Sequence, residues 1–320
     1  MKQKKSLKYI AAAGTLLTAA GAALGIDFLH KMAAARKDPL PHFIKLSEYD
    51  FFNGNEDYMK AVDDGMQWLR ETNHEDVNIT SFDGLQLTGH LYLAENAKRT
   101  IVMMHGFRSS WLRDFSLAGK EFFEVGCNLL IAEQRAHGNS EGKYITYGVF
   151  ERYDCLEWAK YAAERFGNLP LYLDGISMGA STVLMASALP LPKAVKGIIA
   201  DCGYTSPKAI ISKVFNDKSP VPIKGIVSAV SAYSKFAAGY DFDDYSTIDA
   251  MRENTIPIFF AHGDADTFVP MEMTLQNYEA CTAPKTLFIA HGATHGLSYL
   301  AQHDAYYNEL MEFFEKYDNT

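Results

Sequence analysis

Four cysteines in 320 residues, Cys127, Cys155, Cys202 and Cys281, are too few and too scattered for a disulfide framework, and with no CxxC pair they write no structural zinc site. No G-x-G-x-x-G, no P-loop and no H-E-x-x-H occurs, so the sequence implies neither a nucleotide cofactor nor a metal. Positive charge is short: 30 Lys and Arg stand against 39 Asp and Glu, a net charge of −9, which argues against nucleic acid as a partner. The shortage is uneven, because residues 1–37 hold seven bases and only Asp27 as an acid. Internal repeats and low-complexity tracts are also missing. What is plentiful is apolar surface: 18 Tyr, 20 Phe and 3 Trp within a 48% hydrophobic chain suffice for a large core and an apolar pocket.

From Tyr9 to Ile26 no residue is charged, and Lys2, Lys4, Lys5 and Lys8 precede the run. At 1.5 Å per residue these residues make about 27 Å of helix, barely a bilayer's hydrocarbon thickness. Alanine and glycine dominate, so the run is weakly hydrophobic, and Ala20-Gly21-Ala22 or Ala33-Ala34-Ala35 would suit a signal peptidase. Residues 1–37 are therefore read as a signal or anchor segment with its linker, anchor and cleaved signal both standing open beside a plain amphipathic helix. Residues 38–320 are read as one domain.

Past Asp38-Pro39-Leu40-Pro41, Met59, Val62, Met66 and Leu69 recur at helical spacing. Asp76 to Phe82, then Asp83-Gly84, then Leu85 to Leu93 predicts an antiparallel hairpin. The pattern then changes to short continuous apolar runs at Thr100–Met104, Cys127–Ala132, Leu171–Leu173, Gly197–Ala200, Ile256–Ala261 and Lys285–Ala290. Such runs suit strands buried on both faces, and helical stretches such as Phe150–Phe166 and Met271–Cys281 separate them. The prediction is a doubly wound, mostly parallel α/β sheet. Residues 204–252 are too many for a simple crossover and are read as a cap insertion, with a helix near Ile223–Ala238 beyond the Pro220-Val221-Pro222 break.

Gly175-Ile176-Ser177-Met178-Gly179 follows a predicted strand and precedes a helix rich in small residues, Ala180–Leu189, so Ser177 falls at a strand-to-helix turn. A serine there needs a base, and the base an acid that fixes its tautomer, both on later strand ends. Asp266 and His295 meet that need, in the order Ser, Asp, His. Asp264 is read as a turn cap and His291 as too close to its strand to reach. A developing carbonyl oxyanion wants two N–H donors; Met178 supplies one and Phe107, in the turn after His105-Gly106, the other. His105 itself is read as satisfying backbone groups, and His303 as lying on a helix surface.

Several stretches together resemble the α/β-hydrolase superfamily, and within it the bacterial serine esterases, lipases and serine aminopeptidase-like enzymes: Ser81-Phe82-Asp83-Gly84-Leu85, His105-Gly106-Phe107, Gln134-Arg135-Ala136-His137-Gly138-Asn139-Ser140-Glu141-Gly142, Gly175 to Ala180, Ala200-Asp201-Cys202, and His262-Gly263-Asp264-Ala265-Asp266 with Val269-Pro270. The resemblance implies an α/β-hydrolase fold with a small helical cap, Ser177, Asp266 and His295 as a triad, Phe107 and Met178 as oxyanion donors, and no cofactor. Glu133 stands where an Asp is common, Ala136 replaces a glycine, and Asp174 directly precedes the elbow. The expected activity is cleavage of a carboxylic ester through an acyl-enzyme; peptide or amide cleavage, acyl transfer and a non-catalytic binding role stand as alternatives. Asp241, Asp243, Asp244 and Asp249 are read as a solvated acidic loop, with ammonium binding as the alternative, and Phe236, Tyr240, Phe242 and Tyr245 as fitting an acyl or aryl pocket. With an uncleaved anchor the domain would face outward from a bacterial membrane, and with a cleaved signal it would be secreted.

Overall fold

Side chains alternate across a strand, so an uninterrupted apolar run can stay only where both faces of a sheet are covered. That is its place in the computed structural model, which describes residues 21–36, 55–167, 169–218 and 224–320. Most of Tyr9–Ile26, the Asp38–Pro41 linker and the Pro220-Val221-Pro222 break lie outside these residues.

Helix α1 (21–34) and α2 (Glu56–Glu71) precede the hairpin of β1 (Glu75–Thr80) and β2 (Gln86–Tyr92). There follow β3 (Arg99–Met104), the short α3 (Trp111–Asp114) and α4 (Gly119–Glu124), β4 (Cys127–Ala132), α5 (Glu151–Phe166), β5 (Leu171–Ile176), α6 (Met178–Ala186) and β6 (Val195–Asp201). The second half runs through α7 (Pro207–Lys218), α8 (Lys224–Ala238), α9 (Thr247–Glu253), β7 (Ile258–Gly263), α10 (Met271–Ala280), β8 (Lys285–Ala290), α11 (Ser298–Ala301) and α12 (His303–Tyr317). The eight strands form one sheet in the order β1-β2-β4-β3-β5-β6-β7-β8. β1 and β2 pair antiparallel, as do β2 and β4, and the remaining pairs are parallel. This is the α/β-hydrolase fold.

Each inner strand feeds two cores. Val102 and Met104 of β3 join Leu130, Trp158 of α5 and Val183 of α6 on one face, while Ile101 and Met103 join Leu129, Leu69 of α2 and Phe314 of α12 on the other. A third apolar cluster lies outside the sheet. It joins Ile210 and Ile211 of α7 and Val227 and Val230 of α8 to Tyr240, Phe242 and Met178, with Phe107, Ile26 and Leu29 packed against it. The cap is thus α7 and α8. Helix α9 falls within the stretch read as cap, yet Ala250 and Met251 are buried in a sheet core, because its apolar face has α6 and α10 as neighbours.

The segment read as signal or anchor is represented by α1, which packs onto this third cluster. Among the described residues no helix is long and apolar enough to cross a membrane.

Charge also ties the frame together. Arg135 is buried and bonded to both oxygens of Asp154 on α5, at 2.6 and 2.7 Å, and to Asp83 in the hairpin turn at 3.0 and 3.1 Å. Removing one partner leaves the buried Asp154 charge uncompensated, so Arg135→Met is expected to lower unfolding stability by about 3–5 kcal/mol. Chemical denaturation measures this, and a loss below about 1 kcal/mol, the scale of a surface pair, would show the bridge to be incidental.

Candidate active site

At the end of β5 the chain reverses into α6 within one residue. Ser177 takes φ 58° and ψ −112°, a conformation that costs a residue with a side chain, and two close backbone approaches hold it there. A Cβ at position 175 would overlap the backbone of Gly179, and one at 179 would overlap the Met104 carbonyl of β3. Both glycines of G-x-S-x-G are therefore steric necessities. The turn brings Ser177 to the first turn of α6, whose leading N–H groups have no acceptor inside the helix.

Loops after β7 and β8 bring the other two residues to the same sheet edge. Ser177 Oγ lies 2.9 Å from His295 Nε2, and His295 Nδ1 lies 2.6 Å from Asp266 Oδ2. The distances fit a neutral imidazole that accepts from the serine hydroxyl and donates to the carboxylate. Burial works to raise the Asp266 pKa, but the His295 charge and hydrogen bonds from His262 and His295 hold it well below the ordinary carboxylate range. Its other oxygen accepts the backbone N–H of Phe268 at 2.8 Å and of Val269 at 3.0 Å. Fully buried His262 bonds Thr274 Oγ1 at 2.7 Å and the Val269 carbonyl at 2.9 Å, so it braces the loop that carries Asp266.

The alternative pair stays apart from Ser177. Asp264 meets His291 at 2.8 Å and accepts the Gly292 N–H at 2.7 Å, both at the exposed surface. His105 is fully buried: its Nδ1 donates to the Gly106 carbonyl at 2.8 Å and its Nε2 accepts the Gln134 N–H at 3.1 Å. Burial lowers its pKa to about 4, and it stays neutral at pH 7. His303 opens α12, half-exposed, and pairs with Glu121 and Asp304. The Cys202 thiol, buried beside the site, is pushed up by burial and by the charges of Asp201 and Asp266, so it is no competing nucleophile.

A cleft of about 160 Å³ opens on Ser177 and His295, walled by Phe107, Arg108, Arg113, Asp114, Phe268 and their neighbours. The Phe268 ring stands edge-on to the His295 imidazole with centroids 4.9 Å apart. None of the four cap aromatics expected to form the pocket lines this cleft. Tyr240 and Phe242 are consumed in the third core, Phe236 is 88% exposed, and Tyr245 stacks on Arg152. The acidic loop, read as solvated with ammonium binding as the alternative, places none of its four carboxylates in the cleft. Asp243 pairs with Lys208, Asp244 with Lys235, and Asp249 with Arg252 while its N–H is capped by Ser246.

Residues without a role in the sequence reading also shape the site. Asp114 is half-buried at the cleft wall, accepts the Gly106 N–H at 2.6 Å and the Ser109 hydroxyl, and so pins the turn that carries Phe107. A lone Asp eight residues past a glycine gives no sequence signal. Asp174 is buried behind the elbow, its pKa pushed up to about 8 by burial and then by Asp201, and it does not line the cleft. Ala136, standing where a glycine is common, adopts φ 60°. Among the described residues two groups of side chains are spaced to share a cation: Cys202, Asp266 and His295, whose Asp266 is already held by two imidazoles and two amides, and His74, Asp76 and His90 at the antiparallel edge.

Comparison with known proteins gives a consistent picture. Residues 95–238 match the family model described as serine aminopeptidase, S33. The chain is 26% identical over 314 residues to the uncharacterized protein YqkD of Bacillus subtilis, covering 98% of this chain and 99% of that protein. It is 26% identical over 241 residues to caffeoylshikimate esterase of Arabidopsis thaliana, covering 62% of this chain and 71% of the esterase. Among solved structures, the Pyrococcus furiosus esterase Pf2001 superposes with a TM-score of 0.64 at 23% identity, over 79% of this chain and 94% of the esterase. These likenesses support a hydrolase of the α/β-hydrolase type.

The Asp266 environment sets a pH dependence. A carboxylate with a depressed folded-state pKa contributes stability above its unfolded pKa, near 3.9, and loses that contribution as pH falls toward the folded value. Thermal unfolding followed from pH 6 to pH 2.5 should therefore show a shallower acid decline in Asp266→Asn than in the native protein. Parallel declines would mean that Asp266 is not held in its charged form.

Proposed function

We propose that this α/β-hydrolase is a serine hydrolase that cleaves carboxylic esters through an acyl-enzyme, with Ser177 as nucleophile, His295 as base and Asp266 as its orienting acid. One observation carries the reading: an unbroken hydrogen-bond chain, 2.9 and 2.6 Å long, from a strand-to-helix serine that lines the cleft, through an imidazole, to a buried carboxylate. In the reaction the Ser177 oxygen attacks the ester carbonyl carbon as its proton passes to His295 Nε2. Charge collects on the carbonyl oxygen, and the Phe107 and Met178 N–H groups stabilise it. His295 then hands the proton to the departing alkoxide. A water molecule repeats the sequence and frees the acid and the serine. Asp266 holds the tautomer that makes each transfer possible and stabilises the imidazolium that forms.

Ester cleavage is favoured over aminopeptidase action by the lining of the cleft. Recognition of a substrate ammonium wants an available carboxylate, and the one acid on the wall among the described residues, Asp114, is engaged by Gly106 and Ser109, while Arg108 and Arg113 bring positive charge. The basic start followed by an uncharged run supports an extracytoplasmic position at a bacterial membrane, with secretion as the alternative.

The test is a series of p-nitrophenyl esters of increasing chain length run beside aminoacyl anilides. Esters should be turned over, a fluorophosphonate probe should label Ser177, and Ser177→Ala should lower kcat by about 10⁴-fold or more. Hydrolysis of anilides but not esters would move the activity to amides. Undiminished turnover in Ser177→Ala would remove the proposed nucleophile.

A further inference from the structure

The last carbonyls of a helix have no partner inside it, and where they find one shows what the helix end is attached to. At the end of α1 five successive carbonyls are met by the hydrolase body. The Arg108 guanidinium donates to those of Lys31, Met32 and Ala35 at 3.3, 3.1 and 3.1 Å. The Tyr147 hydroxyl donates to Ala33 at 2.6 Å, and the Ile145 N–H to Ala34 at 2.7 Å. A cation there also complements the negative end of the helix dipole. Arg36 continues the seam, its N–H bonded to the Lys143 carbonyl at 2.9 Å and its side chain to Ser140 and Gly138 carbonyls. The flank of α1 is equally engaged. His30 is buried against the rings of Tyr144 and Tyr233, and Asp27 accepts the Tyr233 hydroxyl of α8 at 2.8 Å.

The two side chains that grip the helix end also bracket Phe107. Tyr147 stacks on the Phe107 ring at 5.2 Å with the planes 18° apart, and the Arg108 guanidinium lies 4.9 Å over the same ring. Arg108 holds a left-handed φ of 51°, and its N–H donates to His137 Nε2 at 3.0 Å. Such a conformation persists only where the surroundings over-determine it. We infer that α1 is a permanent support of the loop beside the active site, and that Arg108 is a positioning residue whose bonds to the carbonyls of α1 fix the loop bearing the Phe107 amide. Cleavage at Ala33-Ala34-Ala35 would strip those bonds away, so the mature chain keeps α1. The kinetic part of this inference rests on the serine-hydrolase reading; the retention of α1 does not.

The full chain is produced in a bacterial host with an export pathway, and its N-terminus is mapped by mass spectrometry. Residues 21–36 should be present in the active protein; a fully active chain beginning at or beyond Arg36 overturns the inference. Ester kinetics are then measured for Arg108→Ala and Arg108→Lys. A loop displaced by about 1 Å costs up to roughly 100-fold, so kcat should fall about 10- to 100-fold in Arg108→Ala with KM little changed, and less in Arg108→Lys. Added guanidinium ion should recover part of the Arg108→Ala loss and none of the Ser177→Ala loss. Native kcat in Arg108→Ala, or a loss that guanidinium leaves untouched, contradicts the positioning role. If the native chain cleaves no ester and resists fluorophosphonate, the hydrolase reading fails by itself. Limited proteolysis then decides the coupling: cleavage within residues 21–36 should quicken in both Arg108 variants, and equal protection in all three chains overturns it.

Discussion

A carbonyl oxygen of β3 and two glycines hold the molecule's chemistry in place. Ser177 can occupy its unfavourable backbone conformation because Gly179 lets α6 start against the Met104 carbonyl and Gly175 lets the strand run into it without a side chain between. The cost of the turn is met by the core around it, where Val102, Met104, Leu173 and Val183 lock β3, β5 and α6 into one packed layer. The strain does not relax because close-packed interiors do not yield continuously. The hydroxyl is thereby fixed within hydrogen-bond distance of an imidazole on another loop.

The same economy governs the ionisable groups around the serine. Buried polar groups must be partnered, and here the partners divide the histidines by task. His105 has both ring nitrogens occupied by backbone groups, and His262 bonds a hydroxyl, a backbone carbonyl and the Asp266 carboxylate, so both support loops. His295 has one nitrogen on a carboxylate and the other on the Ser177 hydroxyl, so it links the two. Asp266 stays charged because two imidazoles and two amides outweigh its burial, whereas Asp174, with Asp201 nearby, is pushed the other way.

A further layer packs outside the sheet beside the Phe107 loop. The cap helices, α1 and the 137–145 loop share one apolar cluster and one set of hydrogen bonds, and Phe107 lies where they meet. Loops bearing functional groups need a rigid support, and this one draws part of its support from the chain's N-terminal region. A segment that looks like a targeting signal by composition can also be a structural element, since a small-residue helix lets its backbone come close to a neighbouring surface.

Much of this was legible in the sequence because the signals were local. Uninterrupted apolar runs marked the inner strands, with Cys127–Ala132 and Lys285–Ala290 matching observed bounds, and the glycines around Ser177 marked a turn that no other residue type fits. The order of Ser177, Asp266 and His295 along the chain followed from where loops leave a parallel sheet. What remained hidden depends on which distant segments touch. The hold of Asp114 on Gly106, the edge-on packing of Phe268, the diversion of Tyr240 and Phe242 into the core and the grip of Arg108 on α1 involve contacts that no periodicity encodes. The sequence by itself determined the strands, the elbow and the candidate reactive side chains, because each follows from backbone sterics and hydrophobic spacing. Tertiary structure alone decided the walls of the cleft and the partners of the buried charges, because those follow from packing between residues as far apart as Ala35 and Arg108.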